Sequence, residues 1–391
     1  MKYSLIKAIS QFNEDFRGIF LKKKCIKELR WKHVLVFLLP AEVICFYLFS
    51  QNQVWVEEYY LPFVFKNLTA FLRFTLGEAD FSIGLGLFYV LLFVLLYKVL
   101  RKALYLIKGK PSWNFFSDVF IKGLTVLALI FGLYMVMWGL AYHRKPIAEI
   151  VAINTDNISS QDLKLLCERL ICLTNESRKQ VPDIRFKSYK FHQLFLKVPE
   201  GYDRISKLVP ELSYQFASIK MGFTKNIMSS LNTAGIYIPF TAEANINGNL
   251  PSFEAPFVIC HEMAHQIGFA SEEEANYIAY LACVHNSDPA FRYSANYWVL
   301  FSAMNALRKA DIKTYEILND KIDPEVFLDN KFSKSISQKF RNPVQNFTSR
   351  FLYDLFLKAN SQKRGIQSYN LVVELLVREF RKSNLRYPLV E

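Results

Sequence analysis

Pro256-Phe-Val-Ile-Cys-His261-Glu262-Met-Ala-His265-Gln-Ile-Gly268 is the stretch of this 391-residue sequence from which the rest can be read. Proline suits the first turn of a helix and glycine suits its end. The segment therefore reads as a helix over Phe257–Gly268, with Phe257, Val258, Ile259 and Cys260 as an apolar lead that buries it. Histidines at i and i+4 share one face, a turn apart, so two imidazole nitrogens can reach a single zinc ion. Glu262 lies at the side of that face. A carboxylate there can take a proton from a metal-bound water and pass it to a leaving amine. The chain has six histidines, so two at this spacing beside a glutamate exceed background. His143 and His192 have no ligand spacing.

A catalytic zinc uses three protein ligands and keeps one position open. Ser271-Glu272-Glu273-Glu274-Ala275-Asn276 follows at once and opens a second helix, expected over Glu272–His285. Ser271 with Glu274 has the spacing of a capping box. Glu272 has Asn276 four residues on, along the same face. Glu272 is thus the favoured third ligand, with Asn276 steadying a ligand histidine from behind. Glu273 and Glu274 stay open as alternatives, because spacing does not rank three consecutive glutamates.

Upstream the composition changes. Residues 1–32 form a polar arm rich in lysine and arginine, followed by apolar runs at His33–Ser50, Ser82–Leu100 and Ile121–Tyr142. Each approaches the ~20 residues that cross a bilayer core. The basic lead is too long for a cleaved signal peptide, and no small-x-small site follows the first run. Pro40 and Glu42 interrupt that run; a carboxylate in lipid is costly, so Glu42 should face other helices or water. Arg101, Lys102, Lys108 and Lys110 crowd the second inter-span loop, whereas Gln51–Phe81 is poor in positive charge. The positive-inside rule then puts the N-terminus in the cytoplasm and the C-terminal region outside it. Gln51–Phe81 mixes aromatics with a few charges and suits the membrane interface. The net charge of +13 sits largely beside apolar runs, and no nucleic-acid motif accompanies it, so nucleic acid is not expected as a partner.

The expected organisation is a basic cytoplasmic arm (1–32), a three-helix membrane region (33–142) and an extracytoplasmic domain (143–391). The fold class is an α-rich membrane protein, its three N-terminal transmembrane helices followed by a mainly helical α+β domain. Further helices are expected at Asp162–Arg178, Tyr202–Phe216, Tyr297–Ala310 and Ser368–Phe380. Thr233–Phe240 reads as a strand, and Gly235–Phe240 could offer an edge to an extended peptide. Tyr277, His285, Tyr293 and Tyr297 are candidates to donate to an oxyanion, although packing is the ordinary role of each. Arg292 either holds a substrate carboxylate or anchors a loop. None of the six cysteines forms a Cys-x-x-Cys pair, so small buried hydrophobes are expected.

Glu272-Glu-Glu-Ala275-Asn276 resembles the Glu-x-x-Ala-Asp/Asn element of the glutamate-type zincins (gluzincins), in which the first glutamate is a zinc ligand. The short separation from His265 departs from most such families. More of the chain resembles the bacterial membrane family known as domain of unknown function 3810. Phe81-Ser-Ile-Gly84, Trp138-Gly-Leu-Ala-Tyr142, Gly235–Asn247, His261–Asn276 and Asp288–Tyr293 carry that resemblance; Leu85 stands where an acidic residue is expected. The resemblance implies a zincin-like domain anchored in the bacterial inner (cytoplasmic) membrane and exposed to the periplasm. It supplies no substrate. The combined expectation is a zinc-dependent hydrolase, with the lipid bilayer as partner, Zn2+ as cofactor and a peptide or protein as substrate. The alternatives are a non-catalytic envelope assembly or sensing protein with a structural zinc site, and hydrolysis of a non-peptide amide.

Overall fold

The computed structural model describes residues 37–109, 113–153, 158–182, 191–221, 224–340 and 371–382, with isolated positions at 351, 354, 355 and 358. The basic arm, Cys25, the first residues of the first apolar run and residues 368–370 lie outside them. The chain divides into two compact units. One contains the described residues up to Asn52 together with Phe93–Val136, the other Gln53–Leu92 together with the described residues from Met137 on.

In the first unit, helix α1 covers Phe37–Ser50. Helices α4 (Ile83–Lys108) and α5 (Trp113–Met137) both extend beyond this unit. Among the described residues, two helices are long and apolar enough to cross a membrane, Ile83–Lys108 and Phe115–Met137, where three spans were expected. The described part of α1 is too short for a span of ~20 residues. Hardly any side chains of the two long helices are buried, which sets them apart from the core helices of a soluble domain and makes them compatible with a membrane protein. Glu42 of α1 faces α5. A Cβ placed on Gly132 would lie 3.2 Å from its Oε1, so glycine leaves room for the carboxyl group between the helices. Phe46 packs edge-on against Phe131 beside it.

The second unit holds the buried core. Most of Gln51–Phe81, the segment expected to suit the membrane interface, is helical: α2 (Gln53–Trp55), a π-helical stretch (Val56–Lys66) and α3 (Asn67–Leu76). After α5 come a 3-10 turn (Gly139–His143) and α6 (Ile147–Ile150). Helix α7 (Ser160–Lys179) opens with a complete capping box between Ser159 and Asp162. The helix expected at Tyr202–Phe216 lies earlier, as α8 (Phe191–Ile205). Pro199 inside α8 argues against helix in the sequence, since an interior proline removes a hydrogen bond. Helix α12 (Pro289–Ala310) begins two turns before the expected Tyr297, because Asp288 caps it and accepts from the Ala290 N–H at 2.9 Å. Helices α13 (Ile312–Asn319), α14 (Pro324–Phe340) and α15 (Leu371–Lys382) follow.

A small sheet completes the unit, with β1 (Ile219–Met221), β2 (Gly235–Ile238) and β3 (Glu243–Ile246) in the order β1-β3-β2. Strand β1 runs parallel to β3, Lys220 opposite Asn245, and β2 runs antiparallel, Gly235 opposite Ile246 and Ile238 opposite Glu243. Short helix α9 (Lys225–Ser230) lies between β1 and β2 in the chain. Helix α10 (Ala255–Gln266) packs on β2 and β3 and against α11 (Glu272–Val284). Of the cysteines, Cys167, Cys260 and Cys283 are buried as expected, while Cys45 and Cys172 are exposed.

Candidate metal centre

Helix α10 starts and stops where its sequence says it should. Pro256 occupies its first turn, and Gly268 follows it at φ +92°, in the left-handed region that favours glycine. The Gly268 and Phe269 N–H groups turn back onto the carbonyls of His265 and Ala264, at 3.0 and 3.1 Å. Glycine is doubly required there, because a Cβ would meet the Phe65 ring at 2.9 Å.

The His261 and His265 rings stand 4.8 Å apart between centroids, nearly perpendicular. After the turn, α11 brings Glu272 against both: one carboxylate oxygen is 3.1 Å from His261 Nε2, the other 3.8 Å from His265 Nε2. One ligand atom from each of the three residues lies within 4.8 Å of the others. Among the described residues, Glu272 is the one of the three consecutive glutamates that joins the histidines. Glu274 turns the other way and accepts from the Ile147 N–H at 2.6 Å, with Arg144 nearby. The expected Ser271 capping bond is not made, although Ser271 is the N-cap.

His265 Nδ1 is 2.7 Å from the Phe269 carbonyl, so Nδ1 carries the hydrogen and Nε2 presents its lone pair toward Glu272. His261 Nδ1 is buried without a hydrogen bond, and Glu272, Glu262 and Asn276 are the polar groups acting on that ring. Glu272 and His261 remain 13% and 12% exposed at their side chains. Burial disfavours the His261 cation, but the Glu272 hydrogen bond and charge outweigh it and raise its pKa. Burial draws His265 down to about 4, with the charge on His261 adding to the effect. Two imidazole nitrogens and a carboxylate converging at this spacing fit a tetrahedral site with one position left open.

Glu262 lies beside the cluster, pressed against strand β2. A Cβ on Gly235 would stand 2.7 Å from Glu262 Cγ and 2.8 Å from its Cδ, so the glycine makes room for this carboxyl group. Two residues along the same strand face, the Tyr237 ring lies 6.3 Å from His265. Trp138 closes the far side, 5.4 Å from His265 edge-on and 4.8 Å from Tyr237. Burial, then the neighbouring Glu272 charge, pushes the Glu262 carboxyl up to about 8, against the pull of His261.

Three further residues, which sequence reasoning did not single out, tie this region to the segments flanking the two long helices. Arg73 of α3 donates to the Gln266 carbonyl at 2.8 Å and Arg144 to the Ile267 carbonyl at 3.3 Å, so two guanidinium groups sit on the negative end of α10. Glu243 of β3 accepts from Ser82 Oγ and from the Ile83 and Gly84 N–H groups at 3.0, 2.9 and 2.7 Å, capping the first turn of α4. Ser82 as N-cap of α4 was the one local signal of this contact; its Oγ accepts from the Leu85 N–H.

Three of the oxyanion candidates have other partners: Tyr293 donates to Asp329 at 2.5 Å, Tyr297 lies beside Glu254 and Ser333, and His285 Nδ1 meets the Leu281 carbonyl at 2.8 Å. Tyr277 is buried near Glu379, with no hydrogen bond at its hydroxyl. Arg292 anchors a loop through the Asn286 and Ser287 carbonyls.

A family model described as "Protein of unknown function (DUF3810)" matches residues 60–377, and the chain belongs to that family. No curated protein and no solved structure matches the chain.

Proposed function

We propose that this chain is a membrane-anchored, zinc-dependent hydrolase that cuts peptide bonds outside the cytoplasm. The convergence of His261, His265 and Glu272 within 4.8 Å, with Glu262 alongside, carries the reading. His261 and His265 would hold zinc through Nε2 and Glu272 through its carboxylate. When bound, the ion acidifies a water and polarises a carbonyl. Glu262 then serves as base and acid: its carboxylate takes the water proton and later releases it to the departing nitrogen. In the metal-free protein that carboxyl favours its proton at neutral pH; a cation beside it favours the carboxylate. Phe269 and Asn276 orient the imidazoles, and Trp138 and Tyr237 shield His265 from water.

Strand β2 is the natural peptide-binding edge. Among the described residues it pairs only with β3, and it lies directly against Glu262. If Arg101, Lys102, Lys108 and Lys110 lie on the cytoplasmic side, the positive-inside rule puts the region after the second long helix, which holds the candidate metal centre, outside the cytoplasm.

The test is Glu262→Gln in the full chain. The expected variant keeps its zinc, measured by metal analysis, and loses roughly a thousandfold or more in peptide turnover. A variant as active as the wild type removes the base assignment. Unchanged cellular behaviour, with zinc retained, favours the structural-zinc alternative.

A further inference from the structure

Strand β2 links two features not yet connected. At its first residue, Gly235, it lies against Glu262; at its last, Ile238, it touches the first turn of α4, where a Cβ on Gly84 would meet Ile238 Cγ2 at 2.9 Å. Three residue steps of strand cover ~10 Å. The base is therefore about 10 Å, or three extended residues, along the strand from where a membrane-length helix begins. The other long helix ends at Met137, and the next residue, Trp138, packs on His265.

The surface around that end of β2 is apolar and exposed. Phe81 immediately precedes the α4 cap and is 62% exposed; Phe240, beyond Ile238, is 44% exposed, as is Ile236 on the strand itself. Phe74 and Phe216, both at least half exposed, meet edge-on at 5.2 Å. Leu87 and Phe88, in the second turn of α4, are exposed apolar side chains as well. Exposed apolar side chains beside the first turns of a spanning helix suit the bilayer interface.

We infer that the edge of β2 lies at the bilayer surface and pairs with an extended polypeptide stretch lying immediately outside a membrane anchor. This rests on the hydrolase reading for the chemistry and on α4 and α5 as spans for the placement. A soluble peptide would have to partition to the interface before it could pair with β2. A tethered one is delivered there, and its scissile bond sits a few residues from its anchor.

Two measurements on the full chain, in vesicles of phosphatidylethanolamine and phosphatidylglycerol, test it. First, a photoreactive benzophenone side chain replaces Ile236, Phe240 or, as control, the exposed Ile317 of α13. Lipid adducts at the first two positions and not at the third support the placement; equal adduct yields at all three, or none at the first two, overturn it. Second, wild-type protein is given a mixed-sequence peptide pool joined to an acyl anchor by spacers of about four or about twenty residues, ~13 Å against ~70 Å when extended. Cleavage roughly tenfold faster with the short spacer is expected. Equal rates overturn the substrate class while leaving the hydrolase standing. Adducts without cleavage of any pool member overturn the hydrolase reading, and the substrate class with it, and leave the membrane placement intact.

Discussion

Arg178, Asp329 and Tyr293 form one buried polar cluster of the second unit; His261, His265 and Glu272 form another. In the first, the Arg178 Nε lies 2.7 Å from an Asp329 oxygen that Tyr293 also reaches at 2.5 Å, so α7, α12 and α14 are joined by a cation, an anion and a neutral donor. In the second, His261 is acted on by Glu272 and Glu262, and His265 by Glu272 and His261. The first cluster holds a permanent cation against an anion; the second joins three groups that can each donate an electron pair to a metal. On the proposed reading, similar burial serves cohesion in one place and ligand capture in the other.

The sharpest way to break this comparison is Asp329→Ala. It removes the buried anion of Arg178 and leaves only the more exposed Glu325, 3.5 Å away, so a loss approaching ~3 kcal/mol is expected in denaturant unfolding, with or without zinc. Next comes the ion itself. At free zinc a hundred times Kd, thermal unfolding should report a stabilisation of ~2.7 kcal/mol. His261→Ala and Glu272→Ala should abolish it and Glu274→Ala should not; a loss confined to Glu274→Ala would move the third ligand.

How far the sequence foretold this contrast depends on the range of the signals. Helix α10 was legible because Pro256, the i, i+4 histidines and Gly268 all act within one helix. Strand β3 was not, since Glu243–Ile246 is buried on both faces and shows no alternation. Arg73 and Glu243 were invisible because each acts across more than a hundred residues of chain, on the ends of α10 and α4. In Gln51–Phe81 the aromatics and charges are legible as interface material, but not which of them turn inward: Tyr60, Phe65 and Arg73 are buried while Phe63, Phe71 and Phe74 are exposed.

Smaller effects sharpen the picture. Gly235→Ala forces a methyl group into Glu262, and ~1–3 kcal/mol of strain is expected there. Zinc content should survive while peptide turnover falls at least tenfold; loss of zinc instead would tie Gly235 to the ligands. The smallest effect is a pH slope. Burial pushes the half-buried Glu254 up to about 7, with Ser333 and Tyr297 opposing. The folded state then holds a proton that the unfolded state releases at its ordinary, lower pKa. This contribution is full below about pH 4.5 and is lost as pH rises to about 7, by roughly 1–2 kcal/mol after solvent screening. Glu254→Gln should flatten that part of the stability profile, measured by denaturant midpoints from pH 4.5 to 8.

The two guanidinium groups on the end of α10 carry a practical warning. Arg73 comes from upstream of both long helices, and Trp138 precedes residue 143, where a soluble fragment would naturally be cut. A secreted piece starting there would keep every proposed ligand and still lose a clamp and a wall of the site. Inactivity of such a fragment would say nothing about the intact protein.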